Sequence, residues 1–145
     1  MIRKAHSHDI PVLAELACQL WPGHAISQMG EEMAEVLKND QAVFFLAFEG
    51  AEAVGFAQCQ LRHDYVEGTE STPVGYLEGI YVEQTHRHRG LARALLSACE
   101  AWAKTKGCNE FASDCELENE QSLRFHLRAG FAEANRIICF TKKLP

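Results

Sequence analysis

Apolar residues in the first part of the chain recur at helical spacing. Val12, Leu13, Leu16, Ala17 and Leu20 mark one face of a segment from Asp9 to Leu20, with Pro11 suited to its first turn and Pro22-Gly23 ending it. A second helix is expected over Glu31–Leu37. The pattern then changes to short apolar runs: Val43–Phe48 reads as a buried strand, Glu49-Gly50 opens a turn, and Ala53–Leu61 alternates as its partner. Tyr65–Pro73 is a polar loop and Val74–Val82 another strand. Helical periodicity returns most strongly over Gly90–Lys106, where Leu91, Ala94, Leu95, Ala98 and Trp102 form one stripe before Gly107. Glu110–Ser113 reads as a short strand, Asn119–Ala129 as a helix closed by Gly130, and Ile137–Lys142 as a last strand. With a first strand at Ile2–Ala5, the order is strand, two helices, three strands, helix, strand, helix, strand. It predicts an α/β fold in one domain over residues 1–145, a mixed central sheet flanked by helices, with a meander preceding a crossover unit.

Composition narrows the function classes. A formal net charge of −6 argues against a nucleic-acid partner and is compatible with a cationic small substrate. No apolar run approaches the ~20 residues of a membrane span, and the first residues lack the apolar stretch of a signal peptide, so a cytoplasmic location is expected and no membrane partner. The six cysteines form no C-x-x-C pair and are expected to be reduced, mostly filling small spaces in the core. None has an evident base partner, which disfavours an acyl-cysteine intermediate. His86 and His88 lie two apart and no Cys/His set has zinc-finger spacing, so no metal is expected.

The chemistry concentrates first at His86-Arg87-His88-Arg89-Gly90-Leu91-Ala92-Arg93, between the strand ending at Val82 and the long helix. A helix N-terminus carries free N–H groups and partial positive charge, which disfavours cations. Arg87, Arg89 and Arg93 nevertheless crowd it in an acidic chain. An anion in the turn removes the conflict, cradled by successive backbone N–H groups. A solvated basic turn is the plainer alternative.

Arg87-His88-Arg89-Gly90-Leu91-Ala92 resembles the R/Q-x-x-G-x-G/A motif of GNAT acetyltransferases, and Asn119-Glu120-Gln121-Ser122 through His126 to Gly130-Phe131 resembles that family's second motif. The resemblance implies a GNAT fold and an acetyl-CoA co-substrate, with its pyrophosphate at Arg87, His88, Arg89, Gly90, Leu91, Ala92 and Arg93. It places the pantetheine arm beside the backbone of Ile80, Tyr81 and Val82 and near Asn119. Asn119 also suits a helix N-cap, a compatible role, since capping uses the oxygen and leaves the amide N–H₂. His126 stands where the family often has a tyrosine general acid; an imidazole can donate a proton, or the residue simply packs near the sheet.

Four further strings, Leu20-Trp21-Pro22-Gly23-His24, Arg62-His63-Asp64-Tyr65-Val66, Leu77-Glu78-Gly79-Ile80 and Ala112-Ser113-Asp114, are similar to the bacterial aminoglycoside 6'-N-acetyltransferases. That resemblance assigns Trp21, His24, Tyr65, Glu78 and Asp114 to an aminoglycoside cleft, and Asn135 to a position commonly acidic in relatives. It also implies a homodimer. Independently, Glu78 interrupts an apolar strand and Asp114 ends another apolar run, near strand ends where α/β sheets bind ligands. A buried carboxylate needs a cationic or hydrogen-bonding partner. A substrate ammonium supplies one; a structural arginine such as Arg62 or Arg136 is the alternative. Trp21 equally suits a core position and Tyr65 an ordinary loop.

The expected reaction is direct acetyl transfer to a 6'-amine in a ternary complex, inactivating the antibiotic. Glu78 is the candidate base, since an alkylamine must lose a proton to attack, and the backbone N–H of Ile80 or Val82 is a candidate to polarise the thioester carbonyl. The competing readings are a GNAT enzyme acting on another small-molecule or peptide amine, and a non-catalytic protein that binds acetyl-CoA or the drug.

Overall fold

The computed structural model describes Met1–Pro145 and contains one five-stranded sheet in the order β1-β2-β3-β4-β5. The elements run β1 (Ile2–Lys4), α1 (Ile10–Leu20), α2 (Ile26–Leu37), β2 (Ala42–Glu49), β3 (Glu52–Arg62), β4 (Val74–Val82), α3 (Leu91–Thr105), β5 (Phe111–Ser113) and α4 (Glu120–Arg128). The first four strands pair antiparallel, and β5 returns parallel to β4 after the α3 crossover. No helix is long and apolar enough to cross a membrane.

Each face of the sheet buries its own apolar layer. Leu13, Leu16 and Ala17 of α1 and Met29 and Met33 of α2 pack on Phe44, Leu46 and Phe56. On the other face, Leu95, Leu96 and Cys99 of α3 meet Val43, Ala57, Cys59, Leu77 and Val82. Burying each large aliphatic side chain contributes about 1.5–3 kcal/mol. The start of α1 is fixed by Asp9, which accepts two 2.8 Å bonds from Arg3 and one from the His6 N–H. The Arg3 hydrogen bonds hold its carboxyl well below the usual range.

Three sequence expectations need correction. The second helix starts at Ile26, five residues before Glu31. Gly30 is a poor helix former, but here it is a contact point: a Cβ on it would lie 3.4 Å from Ile10 Cγ2, so its bare backbone lets α2 approach α1. The cysteines divide evenly rather than filling the core: Cys59, Cys99 and Cys108 are buried, while Cys18 is half-buried and Cys115 and Cys139 are exposed.

The third correction concerns Ile137–Lys142, which forms no strand. A strand exists only against a partner that takes up its backbone groups. No backbone–backbone hydrogen bond involves residues 132–145. Ile137, Ile138 and Phe140 are consequently exposed, Phe140 to 87%.

Strands β3 and β4 hold one irregularity. Gln58 faces Gly79 and Cys59 faces Leu77, so Glu78 has no partner across the ladder. This is a β-bulge, which bends the strand and re-aims a side chain. It also shifts the alternation, so that both Tyr76 and Tyr81 face the α1–α2 layer while Leu77 and Val82 face α3.

Candidate active site

Strand β5 pairs with β4 only at Gly75–Leu77, so β4 runs on from Glu78 to Val82 with no neighbour on that side. Glu83 donates its N–H to Val54 on the β3 side. By alternation, Ile80 and Val82 turn their backbone groups to the open side and Tyr81 turns its own toward β3. Of the three expected backbone contacts, only those of Ile80 and Val82 therefore face the opening; the Tyr81 peptide is turned to β3 and its ring packs on the α1–α2 layer.

The open edge leads to the N-terminus of α3. His88 and Gly90 both adopt positive φ, 63° and 81°. Such a turn aims consecutive N–H groups into one concavity, an arrangement that binds anions. No side chain caps α3 at Gly90, whose φ rather than any crowding demands glycine: a Cβ there would have nothing within 4 Å. The backbone thus fits a phosphate. The arginines are tied back. Arg87 Nε donates to the Val82 carbonyl at 2.8 Å, Arg89 pairs with Glu49 at 3.0 Å, and Arg93 donates to the Arg128 carbonyl at 2.8 Å. Their placement at a helix start thus has local partners, and the groups left to meet an anion are chiefly peptide N–H. Asn119 caps α4, accepting the Ser122 N–H at 3.1 Å, which leaves its amide N–H₂ free.

On the α1–α2 face, Trp21 ends α1 and lies edge-on to Phe56, with ring centroids 6.0 Å apart. Its ring rests on the bare backbone of Gly79, where a Cβ would come within 2.6 Å of ring carbons. Trp21 and His24 line a cavity of about 190 Å³ with Met33, Phe44, Gln58 and Glu32. Beside it, Glu78 meets the edge of the Arg62 guanidinium, with Nη2 2.9 Å from both carboxylate oxygens and Nε 3.2 Å from one. Arg62 also stacks 3.5 Å above the Tyr76 ring centre. Tyr76 in turn donates its hydroxyl to Asp114. Burial, and then this donation, push the phenol well above its ordinary range, so it stays a donor.

Two carboxylates expected in the cleft are therefore brought together, through Arg62 and Tyr76. Tyr65 is exposed on the adjoining loop. Asn135 is placed elsewhere: it donates to Glu67 at 2.7 Å and ties the C-terminal segment to that loop, which also touches it where Gly68 meets Ala134.

His126 lies on the opposite face, at the mouth of the β4–β5 opening. Its Nδ1 is 2.7 Å from the Ser122 carbonyl and its Nε2 2.8 Å from Ser113 Oγ. A carbonyl only accepts, so Nδ1 carries a proton. Ser113 is also 3.3 Å from the Leu77 carbonyl. Sequence reasoning missed Tyr76, Ser113 and Gln58. Period-two alternation puts Tyr76 on Glu78's side of β4 up to the bulge, a signal that was present; nothing local singled out Ser113 or Gln58.

A split sheet edge beside a bare helix N-terminus is suited to a phosphate-bearing ligand, and the comparisons with known proteins give the family. The chain belongs to the acetyltransferase (GNAT) family, whose profile matches residues 10–131. It is 42% identical over 142 residues to an aminoglycoside N(6')-acetyltransferase type 1 of Salmonella enteritidis, covering 98% of each chain. Among solved structures, it matches the aminoglycoside N-acetyltransferase AAC(6')-Iy in complex with CoA at TM-score 0.96 and 39% identity, covering 99% of this chain and 95% of the other. A structure of AAC(6')-Iy with the bisubstrate analog CoA-S-monomethyl-acetylneamine matches at TM-score 0.95 and 39% identity, covering 99% and 98%.

Proposed function

We propose that this chain, acting as one domain over residues 1–145, transfers the acetyl group of acetyl-CoA to the 6'-amine of aminoglycosides and thereby inactivates them. The observation that carries this reading is the meeting of two different surfaces at Leu77-Glu78. A backbone-lined split leads from there to an anion-binding helix start, and an acidic, aromatic cleft opens on the other face of the same strand. The names of the relatives above support the same reaction and the 6' position.

In this reading the peptide N–H groups from His88 to Arg93 hold the pyrophosphate, and the Ile80 and Val82 backbone orients the pantetheine arm. Acetyl-CoA supplies an acyl thioester whose thiol leaves with modest help, its pKa being about 8–9 like that of free cysteine. Trp21, His24 and Tyr65 border the acceptor, while Glu78 and Asp114 draw its ammonium groups. Glu78 accepts the proton the amine must lose. His126, held by Ser122, acts through Ser113 at the mouth of the split. Asn135 acts at one remove, through the loop it anchors.

The deciding experiment uses two aminoglycosides differing only at the 6' position, one amine and one hydroxyl. Mass spectrometry is expected to find one added acetyl on the amine compound and essentially none on the other. Equal N-acetylation of both overturns the 6' assignment, and no acetylation of either overturns the reaction.

We also infer that the protein works in the cytoplasm as a homodimer. The support for the dimer is the exposed apolar segment Ile137–Lys142, which has a strand's residue pattern but no partner, in a fold whose β5 edge is open. A dimer mass by light scattering is expected; a monomer at assay concentration overturns it.

A further inference from the structure

We propose that Arg62 is a specificity-determining residue: its guanidinium occupies the cation seat of the acceptor cleft, and an acceptor ammonium reaches Glu78 only by displacing it. The proposal rests on the acyltransferase reading for the identity of the acceptor. It rests on this molecule's own contacts for the competition.

The seat has three walls, two from β4 and one from the end of β5. Glu78, the bulge residue of β4, presents both oxygens within 3.2 Å of the guanidinium. The Tyr76 ring lies beneath it, 3.5 Å from centroid to Cζ. Asp114, just beyond β5, sits behind the Tyr76 hydroxyl it accepts. A carboxylate in the plane, an aromatic face below and a second carboxylate nearby form a site for any organic cation, alkylammonium included.

Arg62 is suited to leave. It is the last residue of β3 and adjoins the 63–73 loop, so its side chain can swing out without moving the sheet. Its side chain is 41% exposed against 22% for Glu78, so the cation is the more solvated partner. A guanidinium is also more weakly hydrated than an ammonium and stacks better on an aromatic ring, which makes it a strong resident for this seat. While it stays, it cancels one of the two carboxylates that would attract a polyamine. The pair is partly exposed, so displacement costs modestly, in the range of surface and part-buried ion pairs.

Calorimetric titration of neamine into the apo protein tests this. Arg62→Gln is expected to bind neamine about five- to tenfold more tightly than wild type, since it removes the competitor while keeping a polar side chain. The gain is expected to vanish, to within about twofold, when the substitution is made in a Glu78→Gln background, because the seat itself is then gone. Arg62→Lys keeps the charge but loses the stacking and the bidentate contact. About a two- to threefold gain is expected, and this variant decides the matter if Arg62→Gln does not fold. Unchanged or weaker neamine binding by a folded variant with Glu78 intact overturns the proposal and makes Arg62 a positioning residue for Glu78. Turnover of neamine by wild type is measured in parallel. Its absence counts against the acyltransferase reading, while the binding comparison still decides the role of Arg62.

Discussion

The two halves of the site are built from different materials. The anion-binding half is made of backbone: two residues at positive φ, an uncapped helix start and an unpaired strand edge. The acceptor half is made of side chains from β3, β4 and the end of β5, and its charges are already satisfied by one another through Arg62 and Tyr76. A backbone site is preorganised because the fold itself fixes its dipoles. A side-chain site can rearrange, and the proposed displacement of Arg62 requires it to, since Glu78 is already paired. The contrast predicts that substitutions in one half leave the other half's ligand nearly unaffected.

Glu78→Gln is the severest test of the acceptor half. It keeps the shape of the bulge residue but removes both the charge and the proton acceptor. Acetyl transfer is expected to fall by about 10²–10⁴-fold, the usual share of a general base. Acetyl-CoA affinity is expected to stay within about twofold, because the β4 edge and the α3 start are untouched. Wild-type turnover across neutral pH would remove Glu78 from the proton path. A large loss of acetyl-CoA affinity would erase the division between the halves.

Gly90→Asp is the matching test of the backbone half. Gly90 has φ 81°, where an L-residue costs about 1–2 kcal/mol, and the new carboxylate would repel a phosphate at close range. The KM for acetyl-CoA is expected to rise about ten- to a hundredfold, with neamine binding to the apo protein unchanged. Gly90→Ala carries the strain without the charge and is expected to fall between. Unchanged acetyl-CoA affinity in a folded Gly90→Asp variant overturns the phosphate assignment.

The same contrast explains what could be read from the residues alone. Strand β4 has the bounds Val74–Val82 that its apolar run implied, and α3 begins and ends within a residue of its expected span. Both are local patterns, repeated over nine or more residues. The helix start beside Gly90 followed from the same locality. The bulge at Glu78 did not, because a bulge is a property of two strands and only one is local to the residue. For the same reason the sequence raised Arg62 as a partner for Glu78 without deciding it: the two are sixteen residues apart and meet through strand register. Ile137–Lys142 fails in the reverse sense. Its apolar run, rich in β-branched and aromatic residues, is that of a strand, but composition cannot supply the neighbouring edge.

The smallest expected effect falls where the two materials meet, at Asn119. Its oxygen caps α4 by accepting the Ser122 N–H, and its amide N–H₂ is unengaged, so one side chain holds a structural role and a proposed ligand role at once. Asn119→Asp separates them. Aspartate caps a helix as well as asparagine does and suits the positive end of the dipole, so the melting temperature should stay within about 1–2 °C of wild type. The substitution deletes the donor, however, and a lost hydrogen bond of about 0.5–1.5 kcal/mol corresponds to a two- to tenfold rise in the KM for acetyl-CoA. Asn119→Ala should show the same rise in KM together with about 1 kcal/mol of lost stability, measured by denaturant unfolding. If the aspartate variant binds acetyl-CoA as wild type does while the alanine variant is merely less stable, Asn119 is a cap and nothing more. The cofactor half would then be backbone throughout.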